Sequence, residues 1–147
     1  MSKPKVAVLK TNPETVLEDY GKLMRLADYE KFLPKEKNLA LKINISWHHF
    51  YPACSTTPWQ LEGVIKTLLE DGYQKDKIYA AHNKTVVVSA KKGEVANKHK
   101  PVVDKYGLRN IHLYEGEEWI RYEPKGKMLV LDTIFPEGIH IPKRLID

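Results

Sequence analysis

Apolar and polar positions along the chain alternate between two periods. Residues 5–10 open with a short apolar run, and Asn12-Pro13-Glu14 then supplies an N-cap, a first-position proline and an early carboxylate, the usual entry to a helix. Val16, Leu17, Tyr20, Leu23, Met24 and Ala27 recur at helical spacing and form one apolar stripe, which ends near Phe32-Leu33 ahead of Pro34. Over residues 39–46 the period changes to two: Leu39, Leu41, Ile43 and Ile45 point one way, and Ala40, Lys42, Asn44 and Ser46 the other. That alternation predicts a second strand. After a loop, Thr57-Pro58-Trp59-Gln60 reads as a capping box with proline at the first helical position. Leu61, Val64, Ile65, Leu68 and Leu69 give this helix its buried stripe, and Gly72 suits a left-handed C-terminal cap.

Residues 77–83 predict a third strand, and Val86-Val87-Val88 extends either a strand or a loop. In the lysine-rich segment that follows, Val95, His99, Val102, Val103 and Tyr106 are helically spaced, Pro101 should break or restart the helix, and Gly107 should end it. Ile111-His112-Leu113-Tyr114 predicts a fourth strand. Trp119-Ile120-Arg121-Tyr122 and Met128-Leu129-Val130-Leu131 flank the turn Pro124-Lys125-Gly126 and predict a hairpin, with one short extended piece in the tail near Ile139. The order β-α-β-α-β-α-β favours parallel strands joined by right-handed crossovers. The expectation is one α/β domain over 1–147, three-layered, with a mainly parallel sheet, crossover helices and an added C-terminal hairpin.

Composition narrows the class further. A chain of 147 residues that is 42% hydrophobic and 29% charged folds around a core and is too apolar to be disordered. The single Cys54 has no partner for an internal disulfide or a zinc-type cysteine pair, and no targeting segment or membrane span is visible, so the expected setting is the cytoplasm. The charge of +5 arises from 24 basic and 19 acidic residues scattered along the chain. Nucleic-acid binders instead concentrate their basic residues on one face. Lys91, Lys92, Lys98 and Lys100 read as a solvated helix face.

In open parallel sheets ligands gather at the carboxyl ends of strands, which here directs attention to the loops Lys10 to Asn12, Asn44 to Thr57 and His82 to Lys84. Lys42 and Asn44 share one strand face: functional if the strand is central, and a wet edge with a snorkelling lysine if it is not. Ser55, Thr56 and Thr57 offer hydroxyls and free N–H groups at a helix start, an anion site or merely a cap. His82 and Asn83 close the third strand, where an imidazole can serve as base, ligand or structural residue. No Gly-rich phosphate loop is present. Adjacent His48 and His49 should face opposite ways on an extended chain, a poor pair for one metal, and no metal ligands are assigned. Cys54 lies just outside the turn whose dipole would lower a thiol pKa. Trp47, Phe50, Tyr51 and Trp59 should seal the top of the core.

Leu41-Lys42-Ile43-Asn44, then Ser55-Thr56-Thr57-Pro58 and the helix that follows, resemble the opening of the domain-of-unknown-function 362 family. The stretch from Tyr51-Pro52-Ala53-Cys54 to Gly63-Val64-Ile65 resembles one branch of it, as do His82-Asn83-Lys84-Thr85-Val86-Val87 and Ile134-Phe135-Pro136-Glu137-Gly138-Ile139. The resemblance implies an α/β fold and a cytoplasmic setting. Some relatives carry iron–sulfur ferredoxin segments, whose cysteines this chain lacks. Members usually continue past the equivalent of Pro142-Lys143-Arg144 into a further strand and a second half, so this chain is expected to stop short.

Three functions follow as expectations. The first is a domain that binds a small anionic ligand through Lys42, Asn44, Ser55, Thr56, Thr57, His82 and Asn83. The second is an interaction module or split subunit completed by a partner half, with an exposed apolar face. The third is a redox-linked, metal-associated protein. Neither a cofactor nor a catalytic residue is assigned.

Overall fold

The structure, a computed structural model, describes residues 5–123, 125–126 and 129–146. The chain divides into two units, Met1–His112 and Leu113–Asp147. It is a mixed α/β fold, as the alternating pattern predicts.

The first unit holds a three-stranded parallel sheet in the order β1 (Leu39–Lys42), β2 (Ile78–His82), β3 (Arg109–His112). Helix α1 (Val16–Leu26) packs on α2 (Pro58–Glu70), the crossover between β1 and β2. The crossover from β2 to β3 is two helices, α3 (Ala90–Ala96) and α4 (His99–Tyr106). The register pairs Leu41 with Ala80, Lys42 with Ala81, and His82 with His112. Side chains paired across a parallel sheet share a face, so Leu39, Leu41, Ile78, Ala80, His82, Asn110 and His112 lie on one side and Lys42 on the other. The core joins Ile43, Ile78 and Ala80 to Leu61, Ile65 and Leu68 of α2 and to Val102 and Val103 of α4. All five residues of the central strand β2 are buried, whereas β1 is an edge.

Local rules explain most boundaries. Asn12 accepts from the amides of Glu14 and Thr15 through its side chain, although regular helix begins only at Val16. Gly72 and Gly107 take the positive φ expected where α2 and α4 end. Pro101 breaks nothing. It sits in the first turn of α4, where its missing N–H is not required, and the break falls at Lys98, whose φ is 64°. Residues 5–10 form no strand: Val6 and Val8 are more than four-fifths exposed, and the run pairs with neither edge of the three-stranded sheet.

In the second unit β4 (Trp119–Tyr122) pairs antiparallel with β5 (Ile139–Pro142), not with residues 129–131. The expected return segment is instead partly a short helix, α5 (Leu131–Ile134), while positions 124, 127 and 128 of the expected hairpin lie outside the described residues. Ile120 opposes Ile141 and Tyr122 opposes Ile139, so one face of the ribbon is apolar.

Candidate functional site

The carboxyl ends of β1 and β2 open into a cleft of about 180 Å³ lined by Lys42, Asn44, His82, Asn83 and Thr85. Four of the seven residues expected to bind ligand meet here, drawn from two strand ends forty positions apart. β1 is an edge, so the central-strand burial that would have marked Lys42 as functional is not met: its side chain lies on a wet face, and its ammonium donates to the Ile43 carbonyl at 2.9 Å. Among the described residues it has no carboxylate partner. The Asn44 side-chain amide donates to Ser46 Oγ at 2.8 Å, and Thr85 Oγ1 accepts from the Val88 amide at 3.1 Å. His82 borders the cleft but is buried, at 1% exposure, with its side chain on the sheet face opposite that of Lys42.

The hydroxyls of residues 55–57 do not join this cleft. Thr56 is laced to Asn44: its Oγ1 accepts from the Asn44 amide at 3.1 Å, and its own amide donates to the Asn44 carbonyl at 3.0 Å. Ser55 Oγ accepts from the Ser46 amide at 3.2 Å. These two side chains hold the loop after β1 in place. Thr57 precedes α2 without any side-chain capping bond, so the capping box is not formed, although Pro58 occupies the first turn as expected. All three residues line a separate, mainly apolar groove of about 680 Å³ with Phe50, Tyr51 and Trp59. Phe50 and Tyr51 are about two-thirds exposed and Trp59 about half, so the aromatics edge this groove and do not seal the core.

Behind His82 lies a polar network that the sequence reading did not assemble. His82 and His112 end adjacent strands in register, and their rings stack with centroids 5.3 Å apart. Glu94, one turn into α3 and 5% exposed, places Oε2 at 3.3 Å from His82 Nε2 and 3.1 Å from His112 Nε2. Asn110 bridges the pair, its Nδ2 donating to Glu94 Oε2 at 2.9 Å and its Oδ1 lying 2.8 Å from His82 Nε2. With two oxygens facing it, Nε2 carries the His82 proton, and Nδ1 is buried without a partner. Burial pushes the His82 pKa below the usual imidazole range, with Glu94 pulling the other way.

The signal for this network was present but scattered. Two histidines end strands joined by a β-α-β crossover, and a parallel register brings such ends together. Glu94 lay unremarked among lysines. Elsewhere, His48 and His49 bring their rings to 4.5 Å because the loop is not extended, but no third ligand-type side chain joins them among the described residues.

Helix α3 is clamped against the loop after β1. Asn97 Nδ2 donates to the Trp47 carbonyl at 3.0 Å, and Gly93 faces Ile45 and His48 with no room for a side chain. One contact region therefore positions both Glu94 and the cleft wall. No helix among the described residues is long and apolar enough to cross a membrane. Compared with protein families, curated proteins and solved structures, the chain matches none.

Proposed function

We propose that this protein binds a small anionic ligand in the cleft at the carboxyl ends of β1 and β2. The observation that carries this reading is the meeting of Lys42, Asn44, His82 and Asn83 around one opening, with the Lys42 charge unmatched by any carboxylate among the described residues. A volume of about 180 Å³ is below the roughly 300–1,000 Å³ of pockets for drug-sized ligands, which favours an occupant the size of inorganic phosphate or a short carboxylate. Lys42 supplies the charge, and the amides of Asn44 and Asn83 supply donors. Ser55 and Thr56 act at one remove by fixing the loop, and Thr57 takes no part in the cleft. The same residues carry the resemblance to the domain-of-unknown-function 362 family, and kinship with it is proposed on them alone.

Thermal unfolding in the presence of inorganic phosphate and small carboxylates, with chelator present, tests the reading. A ligand at a hundred times its Kd stabilises by about 2.7 kcal/mol, a shift of several degrees for a chain of this size. Lys42→Met should abolish the shift and leave the unliganded melting temperature nearly unchanged. A shift that survives the substitution, or none with any anion, counts against the cleft.

A second reading rests on the unit Leu113–Asp147, where Trp119, Leu129, Val130, Ile134 and Phe135 are each half or more exposed. Apolar surface of this kind suits a protein partner. Sedimentation of the purified chain as a single species without self-association, together with failure of apolar probes to bind, would remove that reading.

A further inference from the structure

We infer that His82, Glu94 and His112 form a binding site for a divalent transition metal of the zinc class. The site is distinct from the anion cleft, although His82 borders both. The ligand atoms His82 Nε2, Glu94 Oε2 and His112 Nε2 all lie within 4.8 Å of one another, with 3.3 Å and 3.1 Å from the carboxylate oxygen to the two nitrogens. Ligands at about 2.0–2.1 Å from a tetrahedral zinc ion stand about 3.3 Å apart. Both spacings from the carboxylate oxygen already fit, and the two imidazole nitrogens stand within 4.8 Å of each other.

The backbone sets this geometry. Two imidazoles end adjacent parallel strands in register, so their rings project from the same face, and the carboxylate comes down from the crossover helix that joins those strands. Sites built on strands and helices hold their ligands more closely than loops do. Burial supports the same conclusion. Glu94 is 5% exposed, and its ion-pair partners among the described residues are imidazoles, not a lysine or arginine. A carboxylate taken out of water needs a compensating charge beside it. A divalent ion supplies that charge. Two imidazoles and one carboxylate select zinc-class ions over magnesium or calcium, which prefer oxygen. Asn110 is the positioning residue: its Nδ2 holds the Glu94 oxygen, and its Oδ1 stands 2.8 Å from His82 Nε2.

For Nε2 to ligate, the His82 proton moves to Nδ1, which is buried without another partner, and the imidazole binds as a neutral ligand. Three protein ligands with a coordination position to spare is the pattern of zinc sites that act on a bound molecule.

The test is titration of the metal-stripped protein with Zn²⁺ against a competing chelator, and with Co²⁺ read by its visible ligand-field bands. One ion per chain and a cobalt spectrum of low coordination number are expected. His112→Ala and Glu94→Gln should each abolish binding, and Asn110→Ala should weaken it by about 10–100-fold. The double variant His48→Ala, His49→Ala and the variant Cys54→Ala should bind as the parent does. Circular dichroism verifies folding, and His112→Asn replaces His112→Ala if the latter does not fold. Two results overturn the site: no binding to the stripped parent, or binding that survives His112→Ala and Glu94→Gln. Lys42→Met should leave metal binding unchanged, so failure of the anion cleft and failure of the metal site are separable.

Discussion

Gly93→Ala probes the joint that positions the site, and its cost can be worked from the structure. A methyl group on Gly93 would stand 2.3 Å from Ile45 Cγ2 and 3.4 Å from the His48 Cα. The first distance is far inside van der Waals contact, and Cγ2 belongs to a β-branched side chain with little rotamer freedom. Over-packing of this kind costs about 1–3 kcal/mol, while replacing glycine by alanine inside a helix returns about 1 kcal/mol. At so short a distance the upper part of the range applies, leaving a net loss of about 1–2 kcal/mol. Urea unfolding should register that loss, and the melting temperature should fall by about 3–6 °C. Ile45→Leu moves the branch from the β to the γ carbon and removes the atom that is struck. The double variant should therefore recover most of the loss, with a coupling energy of about 1–2 kcal/mol. Parent-like or higher stability in Gly93→Ala, or strictly additive losses in the double variant, would refute the close approach of α3 to this loop.

Two further outcomes follow from the hydrogen bonds. Thr56→Val should cost about 1 kcal/mol because Thr56 Oγ1 accepts from the Asn44 amide, whereas Thr57→Ala should cost much less than a lost N-cap, since Thr57 makes no side-chain cap bond; urea denaturation ranks the two. His99 is fully buried, its Nε2 donates to the Thr56 carbonyl at 2.5 Å, and burial holds its pKa below the usual imidazole range. The unfolded chain therefore takes up this proton first, so stability is intact above about pH 6.5 and declines as the pH falls below it, by at most about 1.4 kcal/mol per pH unit from this group. His99→Gln should flatten that part of the profile, and an unchanged slope would show that His99 is not the group responsible.

The elements legible in the sequence are those with strong local signals. The stripe from Leu61 to Leu69 and the glycines at 72 and 107 mark elements or ends where the structure has them, and of the alternation over 39–46 the half Leu39–Lys42 forms β1. The failures share a cause. Residues 5–10 and 129–131 have strand-like composition, but composition does not decide pairing: residues 5–10 join neither edge of the parallel sheet, and Ile139 to Pro142 takes the place beside β4. The capping-box pattern at Thr57 was real, but local pattern does not say which hydroxyl the loop will use, and Thr56 is the one bonded back to β1. The cleft was half legible, because strand ends collect ligands as a rule of topology. The His82–Glu94–His112 network was not, because it depends on a register between strands and on which face of α3 meets the sheet.

The central claim is that the strand ends carry a ligand site, and residue-resolved NMR tests it most directly. Titration of inorganic phosphate into the chelator-treated, ¹⁵N-labelled protein should move the amides of residues 42–46 and 82–88 progressively and to saturation, and Lys42→Met should suppress the change. Shifts confined to residues 55–60, or no saturable shift at all, would contradict the account.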